Sequence, residues 1–244
     1  MTRVRLDQLV LQRGLAPSRE RARALILAGQ VRVDGAVAAK AGTPVNDTAA
    51  LTLDTPDHPW VGRGGLKLAH ALDQFAVAVE GCEALDVGAS TGGFTDVLLP
   101  RGAARVTAVD VGHGQLDWRL RRDPRVVVRE RLNARYLAAA DLPGPIDLAV
   151  IDVAFISLRQ ILPAVAAVVR PGGDVVALVK PQFEAARAEV RKGLVADPAV
   201  HARVLDEVRA AAAAVGLTPL AAVPSPVAGA ARGNIEFLLH LRRT

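Results

Sequence analysis

The sequence predicts an α/β fold, a doubly wound, mostly parallel sheet preceded by a small α+β module, on three observations. From residue 84 onward apolar strand-like runs alternate with amphipathic helical stretches. A glycine-rich turn joins the first of those runs to a helix, and the proline-containing stretch 54–61 separates this region from a shorter, arginine-rich one. At 244 residues the chain has room for one large or two unequal domains with a substantial core.

In the N-terminal module Leu6, Leu9 and Val10 recur at helical spacing up to Gly14. Ser18 is placed to cap a second helix carrying Ala22, Leu25 and Ile26 and ending at Gly29. Val31-Arg32-Val33 then alternates, Asp34-Gly35 forms a turn before Val37, and Leu51-Thr52-Leu53 is a third short strand. The module holds no acid–base cluster, so binding is its natural role. The chain carries a formal charge of +5 and a pI near 10.1. Residues 1–50 hold eight basic side chains against four acidic ones, so most of the surplus lies in the first fifth of the chain. Such a surplus suits a nucleic-acid partner.

Seven apolar runs follow: Ala84–Val87, Val106–Asp110, Val126–Val128, Asp147–Asp152, Asp174–Lys180, Leu217–Val223 and Ile235–Leu241. Alternation with helices implies parallel strands covered on both faces. The last two runs lack a helix between them, so one of them is expected as an antiparallel edge. Residues 210–231 are uncharged, but Gly216, Pro219, Pro224 and Pro226 interrupt them, which argues against a membrane span. The first residues lack the apolar stretch of a secretory leader. Cys82 is the only cysteine, which fits a reducing cytoplasm and excludes a disulfide framework or a cysteine-based zinc site. The five histidines lack metal-ligand spacing, so no metal is expected.

The stretch Asp86-Val-Gly88-Ala-Ser90-Thr91-Gly92-Gly93-Phe94 has the layout of a nucleotide-cofactor turn, with Asp110 ending the next strand. Dinucleotides use a G-x-G-x-x-G version, in which a pyrophosphate rests on the helix N-terminus. The D-x-G-x-x-x-G-G spacing found here suits a cofactor without phosphates, such as S-adenosylmethionine. Asp86, Gly88, Ser90, Thr91, Gly92, Gly93 and Phe94 would then cradle its amino-acid end. Asp110 with Val111 would hold the ribose, and Asn133 would lie by the adenine. A purely structural glycine turn is the remaining alternative.

In doubly wound sheets ligands lie beyond the carboxyl ends of the strands. Asp152 and Lys180 end apolar runs, Glu236 begins the last one, and Lys67 sits in RGGLKL at the start of the region. Charges in such places are costly to bury unless they are partnered, so these four are expected to converge. A surface ion-pair network is the alternative. Phe155, Ser157, Phe183 and the cluster Arg187, Arg191 and Lys192 are candidates for the rim of a substrate cleft, against packing or solvation alone.

On these motifs the chain resembles known families. The run RLDQLVLQRGLAPSRERARALILAGQVRVDG with Lys40 resembles an S4 RNA-binding domain. The cofactor turn, Lys67, IDVAFIS, VKPQFE and NIEFLLH resemble the FtsJ-type ribose 2′-O-methyltransferases. Together they resemble the TlyA (hemolysin A) family of ribosomal RNA methyltransferases over nearly the whole chain. The resemblance implies an S4-like RNA-binding domain at 1–56, a linker at 57–62 and a methyltransferase domain at 63–244. The methyltransferase domain would be a Rossmann-like sheet of seven strands, one of them antiparallel. The resemblance further implies a catalytic tetrad of Lys67, Asp152, Lys180 and Glu236, with Lys180 acting as a neutral base or as a charged stabiliser of the alkoxide. RNA would be gripped by Arg3, Arg5, Arg19, Arg21, Arg23, Lys40 and Arg63. The family linker falls on His58-Pro59-Trp60-Val61, where the form Arg-Ala-Trp-Val is usual.

The implied reaction transfers a methyl group from S-adenosylmethionine to a ribose 2′-hydroxyl of ribosomal RNA within a ribosomal subunit, leaving S-adenosylhomocysteine. The expected target is a cytidine of the large-subunit RNA, with the small subunit as a possible second substrate; the short tail after Glu236 favours the large subunit. Three rivals stand beside this reading: a non-catalytic RNA-binding or ribosome-assembly factor, a membrane-active hemolysin, and a dehydrogenase. Stable membrane association is not expected, because the uncharged stretch lacks a basic amphipathic face.

Overall fold

Leu6, Val10, Ala22, Ile26 and Val31 recur at the helical and strand spacings read above. In the computed structural model, which describes residues 3–16, 18–27, 29–38, 40–53, 58–229 and 233–244, they close into one small core. They belong to the first of two compact units, Met1–Pro59 and Trp60–Thr244.

The first unit runs β1 (Arg3–Arg5), α1 (Leu6–Gln12), α2 (Arg19–Leu27), β2 (Val31–Val33), β3 (Ala36–Val37), β4 (Pro44–Asn46) and β5 (Leu51–Leu53). The Ser18 hydroxyl accepts the Arg21 amide at 3.1 Å and caps α2. Asp34 and Gly35 take φ of +50° and +84°, the left-handed pair that a tight hairpin between β2 and β3 requires. β2 pairs with β3 and β5, while β1 pairs antiparallel with β4, a ribbon not foreseen from periodicity. Strands of three residues give period two almost nothing to act on.

A charge is buried beside this core. The Asp7 side chain is fully buried and accepts hydrogen bonds from Arg5 at 3.1 and 3.0 Å and from Arg19 at 3.1 Å. It also accepts the Gln8 amide at 3.0 Å. Arg5 chiefly, with help from Arg19 and against desolvation, holds the carboxyl down to about 2.

The second unit continues with α3 (Gly64–Phe75), β6 (Glu83–Val87), α4 (Gly93–Leu98), β7 (Arg105–Asp110), α5 (Trp118–Arg122), β8 (Val126–Glu130) and β9 (Ile146–Ile151). It ends with α6 (Leu162–Val168), β10 (Val169–Val179), α7 (Pro181–Glu184), α8 (Pro198–Ala214), β11 (Leu217–Pro224) and β12 (Phe237–Arg243). The seven strands are ordered β11-β12-β10-β9-β6-β7-β8. All are parallel except β12, which pairs antiparallel with both β10 and β11. The antiparallel strand is therefore internal, correcting the expectation of an antiparallel edge. The chain passes from β10 through α8 to the outer position and then returns through the gap. Alternate residues face opposite ways: Leu85, Val87, Ala149, Ile151, Val175 and Ala177 pack with α6 and α8. Ala84, Val106, Ala108, Leu148, Val150 and Val176 pack with α3, α4 and α5.

Trp60 and Val61 pack on the second of these faces. The Val61 amide donates to Asp96 at 2.7 Å, so the aromatic end of the expected linker is anchored in the second unit. Residues 54–57 of that stretch lie outside the described residues. No helix among the described residues is long and apolar enough to cross a membrane.

The Asp7 cluster gives a prediction. The carboxyl lies near 2 when folded and near 3.8 otherwise, so its stabilisation is complete above about pH 4 and lost as pH falls towards 2. Protection of the α1 and α2 amides against hydrogen exchange, taken relative to the intrinsic rate at each pH, should fall over that window in the wild type. In Asp7→Asn protection should already be low at pH 5 and change little below it.

Candidate active site

The turn after β6 is shaped first by the backbone. Gly88 and Gly92 take φ of +85° and +96°. A Cβ on Gly88 would lie 2.5 Å from the Asp152 carbonyl oxygen, and one on Gly92 would lie 2.3 Å from the Leu120 side chain. These glycines thus permit the crossing of β6 with the end of β9 and the packing of α5. Gly93 packs against Gly65 and Gly62, where an added Cβ would lie 3.1 Å from the Gly65 amide nitrogen. Close packing inside the protein, on backbone at Gly88 and Gly93 and on leucine side chains at Gly92, accounts for them as directly as any ligand.

Two cavities open at this end of the sheet. The first, about 390 Å³, is lined by Lys67, Asp86, Gly88, Asp152, Lys180 and Glu236, with Arg63, Ser90, Thr91, Gly93 and Phe94 also on its wall. The second, about 490 Å³, is lined by Asp110, Val111, Gln115, Leu132, Asn133 and Ile161. Gly88, Ser90, Asp152, Ala154 and Phe155 border both. Of the proposed cofactor-turn residues only Gly92 lines neither cavity.

The four charged candidates resolve into two ion pairs. Lys180 Nζ lies 2.5 Å from Asp152 Oδ1, where the neighbouring strands β10 and β9 end. Lys67, on α3, donates to Glu236 Oε2 at 2.5 Å, with the two side chains 10% and 3% exposed. A Cβ on Gly64 would lie 3.7 Å from Asp152 Oδ2, so the helix bearing Lys67 lies against the other pair. A Cβ on Gly229 would lie 2.6 Å from Glu236 Oε1, leaving that carboxylate no space on its far side. Asn234 is buried and holds the preceding turn, accepting the Val195 amide and donating to the Gly193 carbonyl.

Asp86 is fully buried. Its Oδ2 accepts the Thr95 amide at 2.9 Å and the Thr95 hydroxyl at 2.7 Å, while Oδ1 has no partner. Desolvation, opposed by Thr95 and reinforced by Asp152 and Asp110, pushes this carboxyl up to about 7. The residue with this unpartnered oxygen lines the first cavity. Asp110 already accepts the Ser90 amide at 2.8 Å through Oδ2 and the Gly112 amide at 2.7 Å through Oδ1. It therefore has one further lone pair per oxygen for a ligand, and the two amides fix its rotamer. Asn133 caps the next turn by accepting the Arg135 amide at 3.1 Å. Val111 is 71% exposed beside it.

Phe155 is 92% exposed with φ of +62°, and its ring centroid lies 5.2 Å from that of Phe183. Glu184, the last residue of VKPQFE and not among the site residues expected from the sequence, is buried. It accepts the Ser157 hydroxyl and the Leu158 amide, and burial pushes its carboxyl up. An acid four residues beyond a strand-end lysine was the available signal. Arg187, Arg191 and Lys192 are exposed on the segment that follows.

Among the RNA-facing candidates, Arg3, Arg23 and Lys40 are exposed, Arg21 is half-buried, and Arg5 and Arg19 are half-exposed around Asp7. Arg5 is further placed over Gly42, where a Cβ would meet its guanidinium at 3.1 Å. Arg63 belongs to the second unit and donates to the Ala228 carbonyl at 3.3 Å.

Comparison with known proteins adds to this geometry. Residues 60–243 match the FtsJ-like methyltransferase family and residues 4–49 match the S4 domain. The chain is 50% identical over 242 residues to the 16S/23S rRNA (cytidine-2′-O)-methyltransferase TlyA of Mycobacterium tuberculosis, covering 98% of this chain and 90% of that one. It is 38% identical over 239 residues to Hemolysin A of Brachyspira hyodysenteriae, covering 97% and 99%. A solved structure from Streptococcus thermophilus, provisionally described as a hemolysin, aligns with a TM-score of 0.79 at 45% identity over 100% of this chain and 90% of its own.

The Lys67–Glu236 pair makes a stability prediction. Lys67→Met strands a carboxylate that is 3% exposed, and unfolding by denaturant should show a loss of about 3–5 kcal/mol. The double variant Lys67→Met/Glu236→Gln should recover most of that loss.

Proposed function

Since the chain belongs to the TlyA family of FtsJ-like methyltransferases with an S4 domain, we propose that it is an S-adenosylmethionine-dependent ribose 2′-O-methyltransferase acting on ribosomal RNA. The observation that carries the reading is the meeting of two lysine–carboxylate pairs, drawn from four distant parts of the chain, on one cavity beside the glycine turn. The target is a cytidine of the large-subunit RNA. The Mycobacterium tuberculosis relative is named for both subunits, so small-subunit RNA is the second substrate to test.

Asp86, Ser90, Thr91 and Phe94 would hold the amino-acid end of the donor, Asp110 and Val111 its ribose, and Asn133 its adenine. The unpartnered Oδ1 of Asp86 suits a positively charged group. When bound, S-adenosylmethionine supplies a methyl group on a positively charged sulfur.

Asp152 holds Lys180 at the cavity, where the ammonium stabilises the ribose oxygen as negative charge grows on it. With Lys180 held as an ammonium, the hydroxyl proton would pass to the Asp152 carboxylate as the donor's methyl–sulfur bond breaks and the new C–O bond forms. Lys67, fixed by Glu236, positions the ribose from the same cavity. Holding the hydroxyl in line can account for several kcal/mol of the barrier, about 7 or more in well-oriented systems. In the first unit Arg3, Arg5, Arg19, Arg21, Arg23 and Lys40 present guanidinium and ammonium groups for RNA phosphates, and Arg63 does so from the second. Binding of this kind reads shape and charge more than bases. The cellular site consistent with such a substrate is the cytoplasm.

Two outcomes are expected. With labelled donor and unmodified ribosomal subunits, Lys180→Ala should lose ~10²-fold or more in turnover, while calorimetry finds donor affinity within about threefold of wild type. Equal loss of both would assign Lys180 to donor binding. Because Asp86 must be ionised to receive a cation, donor affinity should weaken as pH falls below about 7. In Asp86→Asn affinity should be low and independent of pH between 6 and 8 (roughly the range in which this carboxyl titrates).

A further inference from the structure

The segments that follow β9 and β10 run side by side and are joined at three points. Asp152 pairs with Lys180 at 2.5 Å, and Phe155 lies on Phe183 with centroids 5.2 Å apart. At the far end the Ser157 hydroxyl donates to Glu184 Oε2 at 2.5 Å and the Leu158 amide donates to Oε1 at 2.6 Å. Lys180 Nζ also lies 6.0 Å from the Phe183 ring centroid, so the middle contact touches the first.

The middle contact cannot hold itself. Phe155 is almost wholly exposed, on a backbone conformation that side chains other than glycine rarely adopt. Such a conformation persists only where both flanks are fixed. Asp152 fixes one flank, and Glu184 fixes the other by taking the first free amide of the short helix Leu158–Gln160 together with the hydroxyl of its cap, Ser157. Arg159 closes the outer side, lying 3.5 Å from Glu184 Oε2 and donating to the Glu184 carbonyl at 2.9 Å.

We propose that Glu184 is a positioning residue for methyl transfer: it anchors the far end of segment 152–158 so that Asp152 stays against Lys180 and Phe155 against Phe183. This rests on the ribose methyltransferase reading above. Glu184 touches neither cavity wall and acts through Asp152 and Lys180. A small displacement of a general acid–base or charge-stabilising group costs turnover far more than donor affinity.

The test uses the full chain, unmodified ribosomal subunits and three variants. Glu184→Ala should lower kcat by at least ~10-fold, with donor affinity within about twofold. Glu184→Gln, whose amide can still accept from Leu158 and donate to the Ser157 oxygen, should return to within about threefold of wild type. Ser157→Ala, which removes one contact and leaves the Leu158 anchor, should give an intermediate kcat and keeps the idea testable if Glu184→Ala does not fold. Hydrogen exchange at the Leu158 amide, measured without RNA, should accelerate in Glu184→Ala and remain slow in Glu184→Gln. Wild-type kcat in Glu184→Ala despite fast Leu158 exchange would overturn the proposal. So would a loss that appears in donor affinity and not in kcat. An inactive wild type with a normal exchange pattern would instead count against the methyltransferase reading.

Discussion

Lys180 and Asp152 leave the ends of adjacent parallel strands, and the rest of the candidate site is arranged around the contact between them. Parallel strands all point their carboxyl ends the same way, so side chains that end β6, β7, β9 and β10 share one rim. An ammonium and a carboxylate placed there are stable only as a pair, which limits how far the loops that carry them can move. The second pair obeys the same constraint from outside the parallel set. Glu236 precedes the one reversed strand, so its carboxylate enters the rim from the start of a strand and meets Lys67 from a helix.

Reversal of β12 is what brings Glu236 to that rim. Were the last strand parallel, its first residue would lie at the opposite end of the sheet, more than a strand length away. Inserting it between β10 and β11 also buries it on both edges, which suits the apolar Leu238, Leu239 and Leu241. The glycine turn after β6 meets the same geometry from the other direction. Gly88 is glycine because Asp152's own carbonyl passes within contact distance, so the turn and the Lys180–Asp152 pair are parts of one crossing.

Much of this was legible in the sequence. Strands buried on both faces, such as β6, β7 and β9, read as continuous apolar runs, and the partly buried β8 and β11 are apolar enough to be found beside them; Asp152, Lys180 and Glu236 were visible because charges bound such runs, and Lys67 because it sits in RGGLKL at the start of the region. The order of the last two strands was not legible, because hydrophobicity marks a strand without naming its neighbours. Val169–Gly173 was missed at the start of β10, where Pro171, Gly172 and Gly173 argue locally for a turn and the register with β9 shifts. Asp7 looked like one acid among arginines, since burial of a single carboxylate between Arg5 and Arg19 depends on tertiary packing. Gly92 was read as facing a ligand, whereas Leu116 and Leu120 occupy the space beside it. Glu184 carries no periodic signal, because its partners lie 26 and 27 residues away.

The most direct measurement is the position of the methyl group itself. Unmodified large and small ribosomal subunits incubated with the protein and labelled S-adenosylmethionine would be digested with alkali, which cleaves RNA only where a free 2′-hydroxyl is available. The account predicts label in an alkali-resistant dinucleotide that begins with cytidine, in large-subunit RNA. Label recovered on a base or in mononucleotides, or no transfer to either subunit despite donor binding, would contradict it.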